Sequence, residues 1–344
     1  MDLIWIEQAL GAPAGSLARM SFAAIGTGQM CDSFRLRLSW TGHTGPDTII
    51  AKCPSNDEHS RHIAKMVRNY ELEINWYRSL AASTAVKCPH CYHADISENG
   101  LDFVLLLNDC APARQGDQLA GANVATMTAA IAEMASLHAS HWNGDALDTH
   151  EWLHFGRANK EIVRQLLPSL YPEFCTRYSG RLSGTILSMG QHLVDNIDIY
   201  LDSVPAAITI AHGDFRLDNL LFGPDGAVTV VDWQTVGAGS PMADLAYFIG
   251  TSFADPESRR TYEKSLFAKH CEIVEGGGIV VQRDSQWRDY RLYAYSGFIM
   301  AVFASMNVAR TARGDEMFAV MAERPAMQVI DLNSAELLQT TPAM

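Results

Sequence analysis

Strict alternation marks the front of the chain. In DSFRLRLSW, residues 32–40, Phe34, Leu36, Leu38 and Trp40 alternate with mostly polar neighbours, the period of a half-buried strand. RMSFAAIG at 19–26 predicts a strand ending on a glycine, and TIIAKCP at 48–54 a third strand halted by Pro54. TGHTGPD (41–47) lies between the second and third strands. Its glycines and proline make it a turn, so the two strands predict a hairpin. In KCPHCYH (87–93), Cys88, His90 and Tyr92 alternate with Pro89, Cys91 and His93, as a short strand would. LDFVLLLND (101–109) is apolar almost throughout, as expected of a strand covered on both faces. Between them, over 58–83, the period changes. Ile63, Met66, Val67, Tyr70, Ile74, Tyr77 and Leu80 fall three and four apart, predicting one amphipathic helix.

The polar stretch CAPARQGDQLAG (110–121) reads as a connector. It sets the expected division into a lobe over 1–108 and a second over 109–344. Beyond it the pattern turns helical. VATMTAAIAEMASLHASHW (124–142) predicts a helix, more follow to about residue 200, and helices resume after a strand–loop–strand segment at 207–234. AYSGFIMAVFASMNVA (294–309) is the run nearest to a membrane span, but it is short and rich in small residues, which predicts a buried core helix. No internal repeat interrupts the outline: an α+β chain with a small β-rich N-lobe, a hinge, and a larger mainly helical C-lobe carrying a β insert.

Composition narrows the partners. The 344 residues, 48% of them hydrophobic, suffice for a large core or two unequal lobes. The formal net charge of −13 argues against nucleic acid and against anionic membranes as partners, since both need a basic footprint. It leaves room for a local basic pocket. MDLIWIEQALGAPAG lacks the basic and continuous apolar regions of a secretory signal. The seven cysteines (31, 53, 88, 91, 110, 175 and 271) are an odd number, which together point to reduced thiols in a cytoplasm. Cys88 and Cys91 form half of a zinc site, but no second pair stands at zinc spacing, so free cysteines are expected.

Chemistry concentrates in AHGDFRLDNLLF (211–222) and VTVVDWQ (228–234). A strand leads to His212 and Asp214, Asn219 follows five residues after Asp214, and a second strand ends in Asp232. Burying such groups without purpose would be costly. An amide oxygen on Asn219 and a carboxylate on Asp232 are hard ligands suited to magnesium, which keeps water and phosphate oxygens as its other ligands. A carboxylate at Asp214 could orient an attacking hydroxyl and accept its proton.

The pattern H-G-D-x-x-x-x-N followed by a strand ending in Asp resembles the aminoglycoside phosphotransferase and choline kinase-like enzymes, small-molecule relatives of the protein kinases. IGTGQMCDSFRL, LLLNDCAPARQGDQLAG, VVDWQTVGAGSPMADLAYF and ARTARGDEMFAVMAER further resemble the ecdysteroid-kinase-like (CHK kinase-like) branch, over about residues 20–335. The resemblance implies a protein-kinase-like two-lobe fold. It implies that Asp214 is catalytic and that Asn219 and Asp232 bind Mg2+. Trp233 and Gln234 after Asp232 argue against a protein-kinase activation switch. Lys52 would hold the α- and β-phosphates of ATP and Glu73 would be its helix partner, with Glu71 the alternative. Gly26 and Gly28 would bring backbone amides to phosphate, and backbone groups near Leu107–Asp109 would read the base. His212 has two readings, a catalytic histidine or a structural one bonding the loop backbone, and the resemblance favours the structural one; Asp244 is implied to be structural, tying down the catalytic loop. Asp218 is read as solvated or capping its loop, and Arg216 as either a phosphate neutraliser or an exposed ion-pairing residue. His138, His141 and Trp142 are read as core packing.

The function implied is an ATP-dependent kinase, Mg2+-assisted, that phosphorylates a hydroxyl of a small molecule by positioning and charge neutralisation, with lobe closure excluding water. A hydrophobic or sterol-like alcohol or a hydroxy acid is the favoured acceptor. An aminoglycoside or choline is the alternative acceptor. From another class, a catalytically silent nucleotide-binding scaffold would lack one of these residues.

Overall fold

A computed structural model describes residues 2–26, 30–308 and 310–339. Backbone contacts divide the chain into two compact units, one from 1–83, 87–113 and 229–235, the other from 84–86, 114–228 and 236–344.

The first unit opens with α1 (Leu3–Ala9), started by Asp2, whose carboxylate accepts the Trp5 N–H. Its body is a five-stranded sheet of β1 (Leu17–Ile25), β2 (Cys31–Trp40), β3 (Thr48–Pro54), β4 (Cys91–Ile96) and β5 (Phe103–Asn108). The strands lie in the order β1-β2-β3-β5-β4, each pair antiparallel. β5 is an inner strand, which accounts for its nearly continuous apolar run. The β2–β3 hairpin forms as its turn composition predicts. One face of the sheet closes on α1 through Ile6, Leu17, Leu36, Leu38, Ile49, Ala51 and Leu106.

Two local expectations need correction. The helix expected over 58–83 is two, α2 (Glu58–Met66) and α3 (Asn69–Ser79). Arg68 breaks it in the left-handed region at φ 57°, where its guanidinium pairs with Glu71. Asn69 then starts α3 with its side-chain amide on the Gln234 carbonyl at 2.8 Å. The strand expected at 87–93 begins only at Cys91, after Pro89, which has no N–H for a ladder. All seven cysteines are free.

The second unit is mainly helical: α4 (Val124–Ser140), α5 (Ala146–Thr149), α6 (Gly156–Tyr178), α7 (Gly184–Asp195), α8 (Ile197–Asp202), α9 (Pro241–Ser252), α10 (Pro256–Gly276), α11 (Arg283–Tyr293), α12 (Tyr295–Asn307) and α13 (Ala312–Asp331). The apolar run around 294–309 is α12, in the core as expected: Phe298, Ala301 and Val302 are buried against the other helices. Among the described residues no helix is long and apolar enough to cross a membrane. Short strands supply the insert. β6 (Arg114–Gln115) pairs with β8 (Leu220–Phe222), and β7 (Thr209–Ala211) pairs with β10 (Gly237–Gly239). β9 (Val228–Val230) runs into the segment that carries Asp232.

Candidate active site

Two groups of polar side chains stand out, one in each unit. In the first, β3 carries Lys52, which is only 8% exposed. Its ammonium sits 2.7 Å from both carboxylate oxygens of Glu73 on α3 and 2.9 Å from Oδ1 of Asp232. An ammonium has three N–H donors, and these three contacts account for all of them. Burial works against the Lys52 charge, but Asp232 and Glu73 outweigh it and hold its pKa well above the ordinary value. The same burial pushes the neighbouring Cys31 thiol up to about 12, Lys52 opposing. Of the two glutamates considered for Lys52, the fold brings Glu73 to it and leaves Glu71 with Arg68.

Asp232 adopts φ 69°, a left-handed conformation that Asp tolerates better than most residues. The turn is held on the next residue. Trp233 lays its indole on Trp76 of α3 at 3.7 Å between ring centroids, and its backbone N–H donates to Glu73 at 3.3 Å. The Glu73 carboxylate therefore ties β3, α3 and the Asp232 turn together.

The other nucleotide candidates are Gly26, Gly28, Leu107 and Asp109. Gly26 ends β1 at φ 74°. Gly28 lies outside the described residues. Leu107 is buried on β5, and the Asn108 N–H bonds the His90 carbonyl at 2.8 Å. Asp109 turns its carboxylate to Arg35 at 2.7 Å and to the Ala111 N–H at 3.1 Å, so its side chain is committed to the protein.

In the second unit the loop after β7 carries the second group. Gly213 takes φ 82°, which a side chain would strain, and its N–H donates to Oδ1 of Asp244 at 2.9 Å. The His212 N–H donates to the other oxygen of Asp244 at 2.6 Å. His212 is fully buried, and its Nδ1 accepts the Asp214 N–H at 3.3 Å, so its ring shapes the loop.

The Asp214 carboxylate is held by three donors. The Tyr247 hydroxyl reaches Oδ1 at 2.7 Å, while the Asn219 amide at 2.8 Å and Arg216 Nε at 3.2 Å reach Oδ2. The second hydrogen of the Asn219 amide goes to the Asp214 carbonyl at 2.8 Å. Both amide hydrogens are thus spent on Asp214. Arg216 bridges Asp214 to Asp218, 2.7 Å away. Asp218 in turn accepts the Gln118 N–H at 2.9 Å, so it caps the loop, and Arg216 is an internal bridge instead of an exposed one. Gly116 lets the loop pass: a Cβ there would lie 2.5 Å from the Leu217 carbonyl oxygen.

A family model described as the phosphotransferase enzyme family matches residues 40–275, more than half of the chain, and the match contains both groups, while Gly26 and Gly28 precede it. The chain belongs to the phosphotransferase enzyme family. Among solved structures, this phosphotransferase is similar to spectinomycin phosphotransferase APH(9)-Ia in complex with ADP and spectinomycin. That match has a TM-score of 0.52 at 12% identity and covers 96% of this chain and 98% of the other. A thermostable mutant of aminoglycoside phosphotransferase APH(4)-Ia, in ternary complex with AMP-PNP and hygromycin B, matches with a TM-score of 0.51 at 12% identity over 96% and 97% of the two chains. Both likenesses show the fold, a kinase-like one. Sequence similarity leads elsewhere. Mouse acyl-CoA dehydrogenase family member 10 is 30% identical over 136 residues, 38% of this chain but 12% of the mouse protein. The Arabidopsis thaliana probable acyl-CoA dehydrogenase IBR3 is 44% identical over 48 residues, 6% of its length. The chain therefore spans a small part of these relatives.

Asp244, which holds the phosphotransferase loop, rests in turn on two buried histidines, of which the sequence reading named only His138. His138 of α4, expected as plain core, places Nε2 3.3 Å from Asp244 and Nδ1 2.9 Å from Nε2 of His270 on α10. Burial works against the Asp244 charge, but His138 and the loop N–H groups hold its carboxyl below the usual range. Burial, with His138 beside it, depresses His270 well below the ordinary histidine value. His270 is thus neutral in the folded chain at a pH where the unfolded chain takes up a proton. The sign follows: this group leaves stability intact above about pH 6.5 and removes roughly 1.4 kcal/mol per pH unit below it. Urea midpoints at pH 7.5, 6.5 and 5.5 should therefore fall more steeply for the native chain than for His270→Gln. Equal slopes would remove His270 from the account.

Proposed function

We propose that this phosphotransferase moves the γ-phosphoryl group of ATP to a hydroxyl of a small molecule, and that the acceptor is a hydroxylated acyl compound, either a hydroxy acid or its thioester. The observation that carries the transfer is the Asp214 carboxylate, fixed on its loop by three donors and joined to Asn219. The acceptor class rests on the sequence relatives, whose names place them among acyl-CoA dehydrogenases, and on the segments that resemble the ecdysteroid-kinase-like branch, which favour an apolar acceptor over a polycation.

In this reading Asp214 accepts a hydrogen bond from the acceptor hydroxyl. The hydroxyl oxygen forms a bond to the γ-phosphorus as the bond from phosphorus to the β–γ bridging oxygen breaks, ADP leaves, and the proton passes to Asp214 and on to solvent. Lys52 is a permanently charged donor for the α- and β-phosphates, with Glu73 holding it in place. Its bond to Asp232 is the one a phosphate oxygen would replace. Asp232 and the Asn219 amide oxygen are the hard oxygen donors that would hold magnesium, and Asp232, with its side chain 26% exposed, is open enough to do so. When bound, magnesium would supply charge neutralisation for the phosphates. Among the described residues no three His, Cys, Asp or Glu side chains cluster as a metal site. Magnesium in phosphoryl-transfer sites needs only one or two protein carboxylates beside the phosphates.

The test is ADP release from Mg·ATP with hydroxy fatty acids, their CoA thioesters, sterols, choline and aminoglycosides. Turnover with the hydroxyacyl compounds at least tenfold above the others is the expected outcome. Preference for an aminoglycoside or choline overturns the acceptor class but keeps the transfer. Nucleotide binding without transfer to any of them, or to water, favours the silent scaffold.

A further inference from the structure

Asp214 and its loop are gripped from one side by a single helix face. On α9, Asp244 and Tyr247 stand three residues apart and so share a face. Asp244 takes the backbone N–H groups of His212 and Gly213, and Tyr247 takes the Asp214 side chain. Tyr247 is 3% exposed, and its neighbours Leu245, Ala246 and Phe248 are buried apolar residues. A hydroxyl in such surroundings is costly unless bonded, and the partner it finds is the candidate catalytic carboxylate. Burial and the adjoining Asp214 raise its phenol well above the ordinary pKa, so it remains a donor.

A carboxylate offers about four acceptor positions, two on each oxygen. Asn219 and Arg216 fill those on Oδ2, and Tyr247 fills one on Oδ1. We propose that Tyr247 is a positioning residue for phosphoryl transfer: it fixes Oδ1 of Asp214 as the oxygen that receives the acceptor hydroxyl and sets the direction from which that hydroxyl attacks. The proposal rests on the reading of Asp214 as the group that orients the acceptor.

Tyr247→Phe keeps the ring and its packing and removes only the donor. ADP release is followed with Mg·ATP and a hydroxy fatty acyl-CoA, and in parallel with Mg·ATP alone, where water is the acceptor, for the native chain, Tyr247→Phe and Asp214→Asn. The expected result for Tyr247→Phe is a kcat lowered by about 10- to 100-fold, with the KM for ATP within about twofold and the thermal midpoint essentially unchanged. A kcat within about twofold of the native chain, while Asp214→Asn is inactive, overturns the role of Tyr247 alone. A loss of kcat accompanied by a matching fall in thermal midpoint or a raised KM for ATP assigns Tyr247 to packing and also overturns it. Absence of ADP release from the native chain in both arms overturns the phosphotransfer reading, and the role of Tyr247 falls with it.

Discussion

Asp214→Asn should lower kcat by about a thousandfold while leaving the KM for ATP nearly unchanged. General-base and orienting groups contribute about 10² to 10⁴ to such rates, and the substitution is isosteric. Tyr247 can still donate to the amide oxygen at position 214, and the loop backbone keeps its bonds to Asp244. What disappears is the anionic acceptor for the hydroxyl proton, the acceptor that Asn219 and Arg216 Nε share at Oδ2, and one of the two anions around Arg216. Asp218 remains as the second, 2.7 Å from the guanidinium, so the loop should hold. Lys52 is untouched, and nucleotide affinity should persist. Steady-state kinetics with a titration of nucleotide binding separates the effects. A kcat within tenfold of the native value would remove Asp214 from the chemistry.

Lys52→Met should destabilise the protein as well as remove the grip on phosphate proposed for it. Glu73 is 2% exposed, and its carboxylate would be left buried beside Asp232 with no cation. Breaking a buried ion pair from one side costs about 3–5 kcal/mol, because the remaining charge is unpaired. The urea midpoint reads that loss. A second variant sharpens the prediction. Lys52→Met combined with Glu73→Gln removes the stranded charge and should recover most of the stability but none of the ATP binding. If the single and double variants are equally unstable, the cost lies in packing and the charge argument is wrong.

How far the sequence could be read follows from the range of the forces involved. The strands at 32–40 and 48–54 and the helix at 124–142 announce themselves by local period, and the α+β outline and the phosphotransferase family are as expected. The break at Arg68 was invisible because no glycine or proline causes it. Beside it Asn69 pairs with Gln234, more than 160 residues away in sequence, a contact no local pattern announces. The choice between Glu73 and Glu71 likewise needs the fold, since both lie on α3 and only its orientation against β3 separates them. Tyr247 and His270 were missed for a related reason. Their sequence neighbours are apolar or ordinary helix residues, and their significance comes from partners brought in by packing. Asp244 at Tyr247's own helix face was the available signal: a polar residue three positions before a tyrosine in a buried helix. Arg216 and Asp218 were ambiguous because an Arg-x-Asp pair looks the same in solvent as in a folded loop.

The first compact unit is discontinuous, closing only when residues 229–235 join the segment that ends at 113. During vectorial synthesis, β3 and α3 leave the ribosome long before Asp232 and Trp233 exist. Lys52 and Glu73 must wait through the emergence of more than a hundred residues for their third partner, and Trp76 for the ring that covers it. A nascent chain halted before residue 229 would thus lack the ring stacked on Trp76 and carry an incomplete charge cluster. The chain cannot be divided into two independently expressed halves at the connector without leaving the first half unfinished.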